Sequence, residues 1–537
     1  MARALGLSAS LSAHHQGYEA ALQRLDAARF GSRLIEKDAS LWNGDRKAIA
    51  NRLGWLDLPQ TMTARITELR EFADDVRHSG FQRVVLLGMG GSSLAPEVMS
   101  STFGAAEGSP ALLLLDTTDP ATIASADRTL DLERTLFVVS SKSGTTIETA
   151  SLQRYFAAKC ARPLRNFVAV TDPGTPLEAQ ATAEGFRCVF ANPPDVGGRF
   201  SALSYFGLVP ASALGIDVGR LLDSAAAVDM RSGIELGAML GGLALAGRDK
   251  VTFVATESLR GFGAWAEQLL AESTGKLGKG IIPVDGEPPG APEVYGDDRV
   301  FVYLRLEGES GPDAELRTLE DAGNPVITIT LADRYDLGAE FLRWEIATAA
   351  AGVLLDINPF DEPNVAEAKE RTADILRQGS LDDRARPVPG DELSDLLATV
   401  RAGDYIGILA FIPRTAEHDT LLTRLRVAVR DQTALATSLG YGPRYLHSTG
   451  QLFKGGPDKG AFIQIVADDA EDLPIPGAAY TFGQLKRAQA LGDLEALESR
   501  GRRVVRLGLG AEPGAALSSI VSALEARRHS AARAGGA

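Results

Sequence analysis

Seven consecutive residues, Ser140-Ser141-Lys142-Ser143-Gly144-Thr145-Thr146, gather hydroxyls, a cation and a glycine at one point of the chain. They follow a short apolar run, 137–139, and precede a stretch, 147–159, that reads as a helix. Strand, hydroxyl-rich turn and helix in that order aim side-chain hydroxyls, free backbone N–H groups and the positive end of the helix dipole at one spot. That is chemistry for an anion. No lysine follows the glycine in the manner of a nucleoside-triphosphate loop, so a single phosphate monoester suits it better. The bland alternative is a helix capped by Ser/Thr with nothing bound.

Further places carry groups that could act on a bound phosphate monoester. Gly88-Met89-Gly90-Gly91-Ser92-Ser93 is a second glycine turn at the end of an apolar run, 84–87. It lacks the third glycine and the following acidic residue of a dinucleotide fingerprint. Gln268 and Glu272 stand at i,i+4, so a helix would put both on one face, Glu272 where Gly275 begins to end it. A carboxylate is disfavoured by the dipole at a helix carboxyl end, and either catalysis or a solvated last turn accounts for it. Arg199 lies between Gly197-Gly198 and an apolar stretch and can reach back over the loops, or be a surface arginine on a turn. Glu362-Pro363 reads as a cap and first helical residue, which would place Lys369 on the face of Glu362 two turns on. Lys369 alone reads as a surface lysine, and His447 alone as an exposed loop histidine. His14-His15 points to two helix faces and makes no metal site.

The elements that would hold these groups alternate. Apolar runs at 84–87, 111–115, 136–139, 167–170 and 188–190 are separated by helical stretches, which predicts a parallel sheet with ligands at the strands' carboxyl ends. A second unit has strands at 251–254, 300–304 and 326–330. A charged Pro/Gly-containing linker, 379–395, leads to a third α/β piece. Its expected elements are strand 405–411, helix 420–439, strand 461–466, helix 482–499, strand 504–507 and helix 515–528, then a disordered tail from Ala531. The expected division is therefore 1–75, a helical arm anchored through Trp42 and 51–56; 76–217; 218–378; and 396–530.

At 537 residues the chain is too long for one core. A net charge of −15 disfavours nucleic acid and anionic membranes as partners. Two cysteines, Cys160 and Cys188, make no disulfide framework and no cysteine metal site. With no apolar run of eighteen residues and no leader pattern, the expectation is a cytoplasmic protein.

GMGGSS, SSKSGTTIET, GGRFSALSYFGL, QLLAESTGK and NPFDEPNVAEAK occur in the order found in the phosphoglucose isomerase family, which the stretch 80–370 resembles. The resemblance implies two sugar-isomerase (SIS) domains, each a parallel sheet flanked by helices, with the third piece as a smaller α/β extension. Residues 51–59 and the segments YGPRYLHSTGQ and TFGQLKRAQALGDLEALESRGRRV are similar to the isomerase half of transaldolase–phosphoglucose isomerase fusions; no aldolase activity is implied. It further implies that Ser141, Ser143, Thr146 and Ser92 hold a phosphate, with Lys142 and the Gly91 backbone beside them and Gln268 helping to place it. Glu272 would move a proton between C2 and C1, Arg199 would stabilise the cis-enediolate, and Lys369 would assist ring opening, all without metal or cofactor. The activity implied is interconversion of glucose 6-phosphate and fructose 6-phosphate by a homodimer. Isomerisation of another anionic hexose (mannose 6-phosphate or a sulfonated sugar) and non-catalytic sugar-phosphate sensing are the alternatives.

Two departures stand out. The family carries a phosphate-donating glutamine where this chain has Glu362. An ionised glutamate there repels, unless it pairs with Lys369, and one lost charge-assisted bond costs about 1.5–3 kcal/mol. The family's ring-opening histidine falls between the Glu272 and Lys369 motifs, yet 273–369 contains no histidine. His447 is the expected substitute, from the third piece or a partner subunit.

Overall fold

The computed structural model describes residues 6–161, 163–379 and 391–535. Fourteen strands, β1 (Gly6–Ser10), β2 (Arg83–Gly88), β3 (Ala111–Leu115), β4 (Thr135–Ser140), β5 (Phe167–Thr171), β6 (Cys188–Ala191), β7 (Lys250–Ala255), β8 (Ile282–Val284), β9 (Arg299–Leu306), β10 (Val326–Leu331), β11 (Tyr405–Phe411), β12 (Ala436–Tyr441), β13 (Gly460–Val466) and β14 (Arg503–Gly508), form three sheets among the described residues. The first, ordered β3-β2-β4-β5-β6, is parallel throughout. In the second, β1-β10-β9-β7-β8, only β1 runs antiparallel. The third, β12-β11-β13-β14, is parallel.

The central strands of the first sheet are buried on both faces, which is why 84–87 and 136–139 read as unbroken apolar runs. One apolar core joins the arm to the first two sheets, and the helix Leu337–Leu355 runs through it buried on nearly every face. The third sheet has its own core, but Ile475, Phe482 and Leu485 of the extension pack into the outer face of the first sheet. The extension is thus seated on the first unit. No helix among the described residues is long and apolar enough to cross a membrane.

Several expectations are corrected. The helix expected over 420–439 runs Ala416–Thr433 and stops where Ala434 turns left-handed at φ +57°; strand β12 begins two residues later. Without a glycine at that stop, the sequence carried no break signal. The arm is not only helical, because its first described segment, β1, forms the edge of the second sheet, paired with β10. Residues 380–390 of the expected linker, like 1–5 of the arm, lie outside the described residues; the linker's end is helical, Asp391–Ala398. The last helix runs Pro513–Gly535 rather than ending at 528, and the alanine- and arginine-rich sequence favours that.

Candidate active site

In the first sheet β3 lies on one side of β2 and β4 on the other, so the chain reverses direction across the sheet at β2. Crevices form at such a switch point, outside the strands' carboxyl ends. Gly88 of β2 is paired with Ser140 of β4, which sets the loops Gly88–Ser93 and Ser140–Thr146 side by side. A cleft of about 590 Å³ opens there.

The two loops make one end of it. Gly91 lets the first loop's backbone touch the turn that carries Arg199: a β-carbon there would lie 2.0 Å from the carbonyl oxygen of Gly198. Thr146 occupies the cap position of the helix Ile147–Ala157 but accepts no hydrogen bond from its first turn. Its hydroxyl instead meets that of Ser141 at 3.0 Å. The Ser/Thr-capped helix that the sequence allowed is therefore not what forms. Ser92, Ser143 and Thr146 line the cleft, together with Gly91 and Lys142. Ser141 does not: its N–H bonds Val170 of β5, which turns it inward, and it supports Thr146 from behind. The Lys142 ammonium is held by the Asp172 carboxylate and by the carbonyl of Pro194 at 3.1 Å. Burial, more than Lys142 offsets, pushes the Asp172 carboxyl up.

The other end converges on one guanidinium. Arg199 sits in the turn Gly198–Phe200 and is 6% exposed. Its Nη1 lies 3.1 Å from Glu272 Oε1 and 3.0 Å from Glu362 Oε2. Nε donates to Ser273 Oγ at 3.0 Å, and Nη2 to the carbonyls of Pro359 and Asp361 at 3.1 and 3.2 Å. Burial works against its charge, but Glu272 and Glu362 more than offset that and hold it protonated. Glu272 ends the helix Phe262–Thr274, as its spacing from Gly275 suggested. Its carboxyl is raised by burial first, with Arg199 pulling it down and Glu362 pushing it up. The shift is in the direction that would suit a carboxylate asked to serve as a general base.

Gln268 is beside Glu272 but not free to serve a phosphate. Its Nε2 donates to Glu272 Oε2 at 3.1 Å and to the carbonyl of His447 at 2.8 Å. Only the buried Oε1 has no partner, and an oxygen cannot donate to a phosphate. Gln268 fixes the Glu272 carboxyl. Glu362 is likewise reassigned: it pairs with Arg199, not Lys369. The helix carrying Lys369 starts at Val365 with Asn364 as its cap, so Glu362 precedes it and shares no helix face with Lys369. Burial opposes Glu362's charge, yet Arg199 holds its carboxyl below the usual range. Lys276, buried nearby, grips the Asp361 carboxylate at 2.8 Å and fixes this loop; burial, then Arg199, pushes its ammonium down to about 8.

Lys369 lines the cleft, and so does His447, which arrives from the same chain's extension. The turn Arg444–His447 follows β12 and is anchored by Arg444, whose Nη1 donates to Asp116 Oδ2 at 2.8 Å and Glu97 Oε1 at 3.2 Å. His447 Nε2 is 2.9 Å from Glu148 Oε1. Gln489 Nε2 donates to the same carboxylate at 2.7 Å, and Thr118 donates to Gln489 Oε1 at 2.7 Å. Burial opposes the charge on Glu148, but the His447 ring holds its carboxyl low, so it accepts and Nε2 carries the proton.

Sequence reasoning missed Glu148, Gln489, Asp172 and Arg52, which also lines the cleft. Glu148 had a readable signal, since a carboxylate in a first helical turn beside the anion loop needs a partner. Gln489, 341 residues from Glu148, had none.

Residues 61–276 match the family model described as phosphoglucose isomerase. The glucose-6-phosphate isomerase of Rubrobacter xylanophilus is 32% identical over 412 residues, which span 63% of this chain and 95% of that protein. The chain belongs to the phosphoglucose isomerase family. A glucose-6-phosphate isomerase of Thermus thermophilus is similar at 31% over 381 residues, 60% of this chain and 89% of that one. Among solved structures, a hypothetical protein from the same species superposes with a TM-score of 0.59 at 27% identity, covering 69% of this chain and all of that one. A glucose-6-phosphate isomerase from Chlamydia trachomatis shares the fold with a TM-score of 0.54 at 20% identity, over 67% of this chain and 86% of its own. The Rubrobacter and Thermus isomerases each leave over a third of this chain unmatched.

Proposed function

We propose that this chain interconverts D-glucose 6-phosphate and D-fructose 6-phosphate, an aldose–ketose isomerisation of glycolysis and gluconeogenesis. The observation that carries the reading is the buried pair of Glu272 and Arg199, 3.1 Å apart beside an anion cradle. The phosphate is held by Ser92, Ser143 and Thr146 and the open helix end. His447, with Glu148 fixing its ring, and Lys369 open the pyranose by moving a proton between O1 and O5. Glu272 then takes the C2 proton and returns it to C1, while O2 gives up its proton and O1 gains one. Negative charge gathers on those oxygens only during the transfer, and Arg199, fixed in advance, stabilises it there.

Residence in the cytoplasm belongs to this reading, because charged sugar phosphates do not cross membranes unaided. Nucleic acid does not fit the net charge. Homodimerisation is part of the reading through the family, but the cleft is lined by the arm, both main sheets and the extension of one chain. Sedimentation therefore tests assembly separately from activity. The deciding experiment is a coupled assay of glucose 6-phosphate formation from fructose 6-phosphate by the purified chain. Turnover is expected; a protein that binds the sugar phosphate without turning it over ends the proposal.

A further inference from the structure

Four cations line the cleft: Arg52, Lys142, Arg199 and Lys369. Lys142 is matched by Asp172, and Arg199 by both Glu272 and Glu362. Counted as fully ionised, those five groups carry a formal charge of −1. The hydroxyls, amides and helix end of the cradle add only partial charges, so a phosphate dianion there gains from a further cation. Lys369 shares the neighbouring 250 Å³ lobe with Ser143, Thr146, His447 and Glu148, and the proposed mechanism already gives it to ring opening.

Arg52 remains. Its guanidinium makes one hydrogen bond among the described residues, Nη1 to the carbonyl of Asn51 at 3.1 Å. The fields it exerts fall on Asp172 and Glu362, which already have partners. Its backbone is not loose. Leu53 bridges Val196, and the N–H of Gly54 donates to the carbonyl of Asp195 at 3.0 Å. A side chain at Gly54 would lie 2.4 Å from the Asp195 carboxylate, and buried Trp55 packs on Phe200 with ring centroids 5.2 Å apart. The stem of Arg52 passes Gly197, its Cδ 3.5 Å from where a β-carbon would stand. The arm is thus fastened to the loop that carries Arg199, and it leaves one half-buried guanidinium facing the cleft with its charge uncommitted.

We propose that Arg52 is a substrate-binding residue whose guanidinium holds the phosphate group of the sugar phosphate. The planar fork suits two phosphate oxygens at once, which a lysine cannot match. This assignment rests on the isomerase reading for its substrate, though not for its ligand chemistry.

Binding of inorganic phosphate to the full chain by titration calorimetry tests it, beside KM and kcat for fructose 6-phosphate, in wild type, Arg52→Gln and Arg52→Lys. Arg52→Gln is expected to weaken phosphate by about tenfold and raise KM by a similar factor, more than it lowers kcat. Arg52→Lys should recover part of both, which a merely structural role for the fork would not produce. Phosphate affinity unchanged in Arg52→Gln overturns the assignment, even if KM rises. A wild type that binds no phosphate overturns it as well. If wild type binds phosphate more tightly than Arg52→Gln yet turns over no fructose 6-phosphate, Arg52 stands and the isomerase reading falls.

Discussion

The two ends of the cleft are built in different ways. The anion end is nearly continuous in sequence: one loop of seven residues supplies a cation, hydroxyls and a helix start, and a second loop lies beside it because Gly88 and Ser140 are paired in the sheet. The proton-transfer end has no such continuity. Arg199, Glu272, Glu362 and His447 come from four separate elements, and their positions depend on how three sheets pack. A local loop can be nearly correct with the rest of the chain absent. A converged set has its chemistry only when every contributor arrives, so single substitutions there should be costlier.

Glu272→Gln tests the converged end most directly. It keeps shape and removes the base, and a positioned base contributes about 10²–10⁴-fold. We expect kcat to fall within that range with KM little changed, read in the coupled assay. A loss below tenfold would mean another group takes the C2 proton.

Next in size is the relay through the extension. His447→Ala should lower turnover of the ring-closed sugar by about 10–100-fold, at or below the usual range for a positioned acid–base group. Glu148→Gln should have a smaller effect in the same direction, because the ring stays but loses the acceptor that fixes its tautomer. An open-chain substrate should be spared in both. Equal losses with open and closed sugars would place His447 outside ring opening.

The anion end should show the gentler response. Thr146→Val removes one hydroxyl among several donors, worth about 0.5–1.5 kcal/mol or up to 3 if it bonds the charged phosphate. KM for fructose 6-phosphate should rise some tenfold while kcat holds. A collapse of kcat instead would erase the contrast between the ends.

The same contrast decides what could be read beforehand. The five strands of the first sheet were legible because buried parallel strands are plain apolar runs, and the anion loop because its chemistry is contiguous. Glu272 was legible through an oddity, a carboxylate where a helix dipole disfavours one. Strand β12 was not, since ATSLGY follows a helix with no glycine between them. Glu362 was misassigned because its partner was sought along the helix it precedes, whereas Arg199 reaches it from 163 residues away. Arg52 was hidden in a segment that reads as apolar anchoring. Its neighbours Leu53 and Trp55 are indeed buried anchors, and only the fold shows which side the arginine takes.

The smallest effect tests whether the converged end is tuned as well as assembled. One nitrogen of Arg199 serves both Glu272 and Glu362, so the two carboxylates compete for the same positive charge. Burial raises the Glu272 carboxyl first of all; Arg199 lowers it, and Glu362 raises it again. Replacing Glu362 with glutamine removes one raising influence and frees Arg199 for the base. The base then loses its proton at lower pH, so the acidic limb of the kcat/KM profile should move down. Glu362's side chain is 45% exposed, and solvent screens its field, so the shift should be less than about one pH unit. Below the limb the variant should outperform wild type, and at high pH, where both bases are ionised, that advantage should vanish. A limb that stays in place or moves up would mean that Glu362 braces Arg199 without influencing the base.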